Sequence, residues 1–190
     1  MPNLIEEILE YNKEFVTSKK YDSFRTSKLP DRKLAVVACM DTRLTALLPS
    51  ALGVKNGDIK LIKNAGGVVS HPFGSVMRSL ILCIYAMGTE EVAIIGHHDC
   101  GMSSLDHQAM AQLMIARGIP EKRLQRLEFY GIDLKRWLTG FDDAQESVLQ
   151  SMRCVLNHPL VPEGILVHGL LINPVTGELD LLATERTTGQ

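Results

Sequence analysis

Two cysteines and a histidine in this sequence have the types and the spacing of a metal site. His97 and Cys100 form an H-x-x-C pattern directly after an apolar run, and Cys39 closes an earlier apolar run. Thiolate and imidazole are ligands that zinc prefers, and three protein ligands with one open position are typical of a catalytic zinc site. Water in the open position would be activated to hydroxide. The residues therefore predict a mononuclear zinc site at Cys39, His97 and Cys100.

Each of these residues also has a simpler interpretation. Cys39 and His97 could be packing residues at the ends of strands. His98 lies next to His97, but the spacing of three residues to the second cysteine favours His97 as the ligand. Cys83 and Cys154 fall on apolar helical faces, and we interpret both as packing residues.

An aspartate and an arginine follow the first cysteine in a C-x-D-x-R pattern at 39–43. Asp41 and Arg43 are two residues apart and can fold back toward each other, so that the guanidinium keeps the carboxylate ionised and oriented as a hydrogen-bond acceptor. The alternative is an exposed ion pair on a turn, which would contribute little. Beside two candidate thiolates, the pattern favours a functional pair next to the zinc.

The elements that must position these residues follow from the hydrophobic pattern. Short apolar runs predict buried strands at about 34–40, 58–63 and 91–96. Apolar residues at helical spacing predict helices at 3–18, 45–52, 73–87, 105–117, 121–129 and 142–157. A turn at Pro174–Gly177 predicts a C-terminal β-hairpin. The fold class is therefore α/β: a mainly parallel sheet flanked by helices, with an N-terminal helical arm and a C-terminal hairpin.

Three predicted strands end at residues that could do chemistry. Cys39 ends the first strand, Asn64 the second and His97 the third. Sites in parallel sheets lie at the carboxyl ends of the strands. We therefore expect these ends to meet at one place.

Composition limits the classes of function. The 190 residues predict a single domain, 1–190, in which 1–28 form the helical arm. A net charge of −2 gives no basic surface for nucleic acid or an anionic membrane. The N-terminus is acidic and amphipathic, which is not typical of a secretory signal, and no apolar run approaches the roughly 20 residues of a membrane span. We expect a cytoplasmic protein whose four cysteines are thiols or metal ligands.

Three segments resemble the β-class carbonic anhydrases, and most closely their short bacterial and archaeal members. The segments are ACMDTRL (38–44), LIKNAGGVV (61–69) and MGTEEVAIIGHHDCGM (87–102), in the order and spacing of that family. The resemblance implies zinc-dependent reversible hydration of carbon dioxide to bicarbonate through a zinc-bound hydroxide. It also implies that Cys39, His97 and Cys100 are the zinc ligands, and that Asp41 and Arg43 are the catalytic dyad.

Two other functions stay open at this point. Relatives of this fold hydrolyse carbonyl sulfide or carbon disulfide with the same zinc ligands. A non-catalytic zinc- or bicarbonate-binding protein is a further alternative, although such a protein has no need of the Asp41–Arg43 pair.

The resemblance further implies a homodimer whose N-terminal helices pack across the partner. The apolar stripe on 3–18 is consistent with this, because docking on a second subunit would bury it. We predict a homodimer or a multiple of one, with Ile8 and Phe15 in the contact.

Overall fold

Five strands form one sheet in a computed structural model that describes residues 3–103 and 105–189. The strands are β1 (Leu34–Cys39), β2 (Ile59–Asn64), β3 (Glu91–His97), β4 (Leu166–Ile172) and β5 (Leu179–Arg186). Their order across the sheet is β2-β1-β3-β4-β5. The first four strands are parallel to one another, and β5 is antiparallel to β4. The predicted mainly parallel sheet with a C-terminal antiparallel pair is confirmed.

Seven α-helices accompany this sheet in the described residues, together with two 3-10 helices, Lys20–Phe24 and Ala65–Gly67. The α-helices are α1 (Leu4–Thr17), α2 (Leu44–Ala51), α3 (Ser75–Met87), α4 (His107–Ala116), α5 (Glu121–Phe129), α6 (Leu134–Leu138) and α7 (Ala144–Leu156). Six coincide with predicted helices to within two residues. The short helix α6 was not predicted, because five residues are too few to show a helical period.

The apolar core divides into two layers because side chains alternate across each strand. On one face of the sheet, Ala35, Val37, Val92 and Ile94 pack with residues of α3 and α7. On the other face, Val36, Ala38, Ala93 and Ile95 pack with Leu44 and Leu48 of α2. Strands β1 and β3 are therefore buried on both faces, which explains their unbroken apolar sequences.

The N-terminal helix α1 begins with a capping box. Asn3 accepts a hydrogen bond from the Glu6 amide, and the Glu6 carboxylate accepts one from the Asn3 amide. None of the residues of α1 is buried. Residues 1 and 2 of the predicted arm lie outside the described range.

An excursion of three helices, α4 to α6, leaves the sheet after β3 and returns before α7. Its two ends meet where Ser103 pairs with Phe141. Among the helices that the structure describes, none is long and apolar enough to cross a membrane.

Candidate metal centre

The sheet register brings the predicted ligands to one edge. Cys39 is the last residue of β1 and pairs with Asn64, the last residue of β2. His97 is the last residue of the adjacent strand β3. Because these strands are parallel, their carboxyl ends lie side by side, as the sequence predicted.

A glycine turn after β2 packs against the end of β1. The Asn64 side chain closes this turn by donating to the Val68 carbonyl (2.7 Å) and accepting from the Val68 amide (3.1 Å). Gly67 has φ +64°, and a Cβ there would lie 2.8 Å from the Cys39 nitrogen. Only glycine combines this backbone conformation with so close an approach.

The ligand atoms of Cys39, His97 and Cys100 all lie within 4.8 Å of one another. The two Sγ atoms are 3.9 Å apart. All three side chains are buried, and His97 is only 1% exposed. The structure thus brings together the three residues that the sequence singled out.

The His97 ring presents a free lone pair to the two thiols. Its Nδ1 lies 2.8 Å from the His98 carbonyl and must donate to it, since a carbonyl only accepts. In the neutral ring Nε2 is then the nitrogen with the lone pair, and it is buried without a hydrogen-bond partner. A main-chain carbonyl that fixes the tautomer in this way is typical of metal-binding histidines. His98 itself is exposed and lies outside the cluster.

The Cys100 thiol by itself is poorly placed to ionise. Burial raises the pKa of the Cys100 thiol, and the neighbouring Cys39 raises it further, while the backbone amide of Met102 opposes the rise. A bound cation would favour the thiolates instead, because ligands bind metals in the deprotonated form. Two sulfurs and one imidazole nitrogen suit zinc. The donor set therefore fits that metal.

Asp41 and Arg43 form a closely hydrogen-bonded pair beside the cluster. Arg43 Nη2 donates to Asp41 Oδ2 at 2.8 Å, Nε donates to Oδ1 at 3.1 Å, and the Arg43 amide donates to Oδ1 at 2.8 Å. These hydrogen bonds lower the pKa of Asp41 to about 2, although partial burial opposes the shift. Asp41 Oδ2 is 3.9 Å from His97 Nε2. The carboxylate is therefore an anionic acceptor at the edge of the cluster.

Asp99 also binds Arg43, and the sequence did not identify it as a site residue. Its carboxylate accepts from Arg43 Nη1 at 2.8 Å, and its carbonyl accepts from Arg43 Nη2 at 2.8 Å. The only signal in the sequence is an acidic residue between two candidate ligands. That signal does not show that Arg43 lies within reach.

A cavity of about 610 Å³ opens onto the cluster. Cys39, Asp41, Arg43 and Cys100 lie along its wall, and most of the remaining lining is apolar or main chain (Met40, Ala65, Gly66, Gly101, Met102, Leu105 and Met110). Leu105 and Met110 belong to the excursion, so a segment outside the sheet completes the wall. The remaining cysteines, Cys83 and Cys154, lie in or against the core layer of α3 and α7, as predicted.

Comparison with known proteins identifies this arrangement. A family model described as carbonic anhydrase matches residues 34–179, which include all three cluster residues and the Asp41–Arg43 pair. The chain belongs to the β-carbonic anhydrase family. The protein YvdA of Bacillus subtilis (strain 168) is 53% identical over 175 residues. The match covers 92% of this chain and 89% of YvdA, whose name is provisionally that of a carbonic anhydrase.

Solved structures agree with this family assignment. This β-carbonic anhydrase superposes on the β-carbonic anhydrase isoform I of Trichomonas vaginalis with a TM-score of 0.86 and 33% identity, covering 95% of this chain and 97% of the other. In sequence, the chain is also similar to a carbon disulfide hydrolase of Acidithiobacillus thiooxidans, at 30% identity over 175 residues. This match covers 87% of this chain and 85% of the hydrolase.

Proposed function

We propose that this β-carbonic anhydrase binds zinc through Cys39, His97 and Cys100 and interconverts carbon dioxide and bicarbonate. The observation that carries the proposal is the buried, unpartnered His97 Nε2, within 4.8 Å of both thiol sulfurs at a cavity wall. A buried nitrogen without a partner costs free energy, and a metal ion would remove that cost. When bound, zinc lowers the pKa of a coordinated water molecule and so supplies a nucleophile for the carbon of carbon dioxide.

Asp41 and Arg43 would orient the reacting groups. An ionised Asp41 only accepts hydrogen bonds, so it can hold the proton of a hydroxyl group beside His97 and direct the oxygen lone pair into the cavity. Arg43 keeps Asp41 ionised and fixes its rotamer through two side-chain donors. The apolar wall admits a small uncharged substrate and limits the water around it.

A stopped-flow assay of carbon dioxide hydration tests the proposal. The zinc-loaded protein should hydrate carbon dioxide with an activity that disappears on chelation and returns with stoichiometric zinc. Arg43→Ala should lower kcat by about 100-fold at unchanged zinc content, because Asp41 loses its partner. Zinc-loaded protein without hydration activity would instead indicate a non-catalytic zinc- or bicarbonate-binding protein.

Hydrolysis of carbon disulfide or carbonyl sulfide is the second candidate function. It is favoured by the similarity to the Acidithiobacillus enzyme and by the apolar cavity wall, which includes three methionine side chains. The higher identity to YvdA favours carbon dioxide. Hydrogen sulfide release, measured on the protein batch used for hydration, separates the two. Rapid sulfide release with negligible hydration would reverse the assignment.

We also propose a homodimer, or a multiple of one, built through α1. In the single chain, Leu4, Ile5, Ile8 and Leu9 are each at least 50% exposed. Phe15 is half-buried and packs on Phe24, with ring centroids 6.3 Å apart. A second copy would cover the remaining stripe.

The domain organisation and the location are proposals as well. We propose one domain over 1–190, with 1–28 as its arm. None of the four cysteines, all of which the structure describes, forms a disulfide, which suits the reducing cytoplasm in which we place the protein.

A further inference from the structure

The Arg43 guanidinium is shared between two aspartates. Nε and Nη2 donate to Asp41, while Nη1 donates to the Asp99 carboxylate and Nη2 also donates to the Asp99 carbonyl, both at 2.8 Å. Asp99 therefore contributes two of the acceptors that hold this side chain. The two aspartates belong to different segments, one after β1 and the other after β3.

The backbone of Asp99 has the conformation that this double contact needs. Its φ is +53°, in the left-handed region that residues other than glycine seldom adopt and that Asp and Asn tolerate best. The side chain is 85% exposed, so burial does not explain its orientation. The contact with Arg43 does, because in this conformation the carboxylate and the carbonyl of one residue reach the same guanidinium.

The position of Asp99 in the chain links its contact with Arg43 to the proposed metal ligands. Asp99 lies between His97 and Cys100, in the turn that carries two of the three proposed ligands. Arg43 is 38% exposed, and a long side chain in that position is mobile unless several bonds hold it. Through Asp99, the place of Arg43, and hence the rotamer of Asp41, is set relative to the metal-binding turn.

We propose that Asp99 is the positioning residue of the Asp41–Arg43 pair and that it couples this pair to the metal-binding turn. The inference rests on the proposed function, since it assigns Asp99 a role in the reaction of that site. Asp99 does not touch the reacting atoms. It acts through Arg43.

Two substitutions separate the parts of this role. Asp99→Gly removes the carboxylate but keeps the carbonyl acceptor, and glycine adopts positive φ readily. Asp99→Asn keeps an oxygen acceptor of the same shape without the charge. His98→Ala is the matched control, because it removes an exposed side chain from the same turn.

Activity and zinc content form the first measurement. We expect zinc content to stay at the parent value in all three variants. Asp99→Gly should lower kcat by roughly 10-fold with a small change in KM, since a misplaced guanidinium costs orientation rather than substrate binding. Asp99→Asn should lower kcat by about 3-fold, because an uncharged acceptor makes a weaker hydrogen bond. His98→Ala should match the parent.

Hydrogen exchange at Arg43 Nε–H, followed by nitrogen-15 NMR, is the second measurement and needs neither substrate nor metal. The resonance is assigned by its absence in Arg43→Lys. Exchange should be slow in the parent, faster in Asp99→Gly, intermediate in Asp99→Asn and unchanged in His98→Ala.

The two measurements together decide the proposal. Parent-like exchange in Asp99→Gly would overturn it, as would faster exchange with unchanged kcat. Loss of zinc from Asp99→Gly would also overturn it, because Asp99 would then shape the ligand turn rather than the pair. If the zinc-loaded parent lacks hydration activity, the proposed function fails, while the exchange data still report on the positioning contact.

Discussion

The two adjacent histidines differ in burial and in whether a ring nitrogen lacks a hydrogen-bond partner. His97 donates through Nδ1 to a carbonyl and leaves a buried Nε2 without a partner, whereas the His98 side chain is exposed. We expect about one zinc per chain in the parent and in His98→Ala, and loss of zinc in His97→Ala, Cys39→Ala and Cys100→Ala. Metal analysis of folded protein, with circular dichroism as the control for folding, measures this. Zinc lost from His98→Ala but kept in His97→Ala would contradict the ligand set.

The Asp41 carboxyl makes the free energy of unfolding depend on pH in the acid range. The ordinary pKa of an aspartate carboxyl is 3.8, and the pKa of Asp41 in the folded chain is about 2. The hydrogen bonds from Arg43 are the main cause of this lowering. A group whose pKa is lower in the folded state stabilises that state above the ordinary pKa, and the contribution is lost as the pH falls toward the folded value. The contribution of the Asp41–Arg43 pair should therefore be complete above about pH 5 and largely lost by about pH 2.

Urea unfolding of the metal-free protein between pH 2 and 6 checks this dependence. The free energy of unfolding of the parent should exceed that of Asp41→Asn by about 1–2 kcal/mol at pH 6, at the low end for a charged hydrogen bond because Arg43 is partly exposed. The difference should shrink toward pH 2. Asp180→Asn, an exposed site on β5, is the control. A difference that stays constant over the whole range would show that the pair does not titrate as described.

At the scale of elements, the turn after β2 fixes how closely that segment approaches β1. Gly67 and Gly88 have similar φ values, +64° and +68°, but only Gly67 has backbone within 4 Å of a would-be Cβ, namely Cys39 and Ala38. The left-handed conformation alone costs an L-residue about 1–2 kcal/mol. Forced contact in a packed interior adds about 1–3 kcal/mol.

Replacing each glycine by alanine separates these two costs. Gly88→Ala should lower the free energy of unfolding by about 1–2 kcal/mol and leave zinc content unchanged. Gly67→Ala should lower it by about 2–5 kcal/mol and reduce zinc content, because the end of β1 that carries Cys39 must shift. Chemical denaturation and metal analysis measure both effects. Equal losses of the free energy of unfolding in the two variants would mean that the close approach of Gly67 to Cys39 does not affect stability.

The elements themselves were largely predictable. β1 and β3 have unbroken apolar sequences because both of their faces are buried. In the structure, α1 begins after the N-cap Asn3 and α7 after the N-cap Asp143. The short helix α6 escaped prediction. Its place depends on contacts with α4 and α5 rather than on a period of its own.

For the whole molecule, assembly is the property that the single chain leaves open. Helix α1 exposes an apolar stripe, and Ile8 in that stripe is 50% exposed. We expect Ile8→Glu to convert the proposed dimer to monomer while leaving the fold of each protomer intact, because Ile8 contributes little to the core of one chain. Light scattering across a concentration series measures the mass.

Glu10→Lys on the opposite face of α1 is the control and should stay dimeric. A parent protein that is monomeric at every concentration, with α1 intact, would rule out the proposed assembly. Monomeric Glu10→Lys beside dimeric Ile8→Glu would place the contact on the acidic face instead.

The sequence by itself predicted the cluster of Cys39, His97 and Cys100, the Asp41–Arg43 pair, the strands that carry them and the sheet edge where they meet. These follow from local spacing and from the rule that parallel strands end at one edge. The tertiary structure alone decided that Asp99 completes the hold on Arg43, that Leu105 and Met110 of the excursion line the cavity, and that His97 Nε2 is left without a partner. Such contacts depend on strand register and backbone direction between segments far apart in the chain, and hydrophobic periodicity encodes neither.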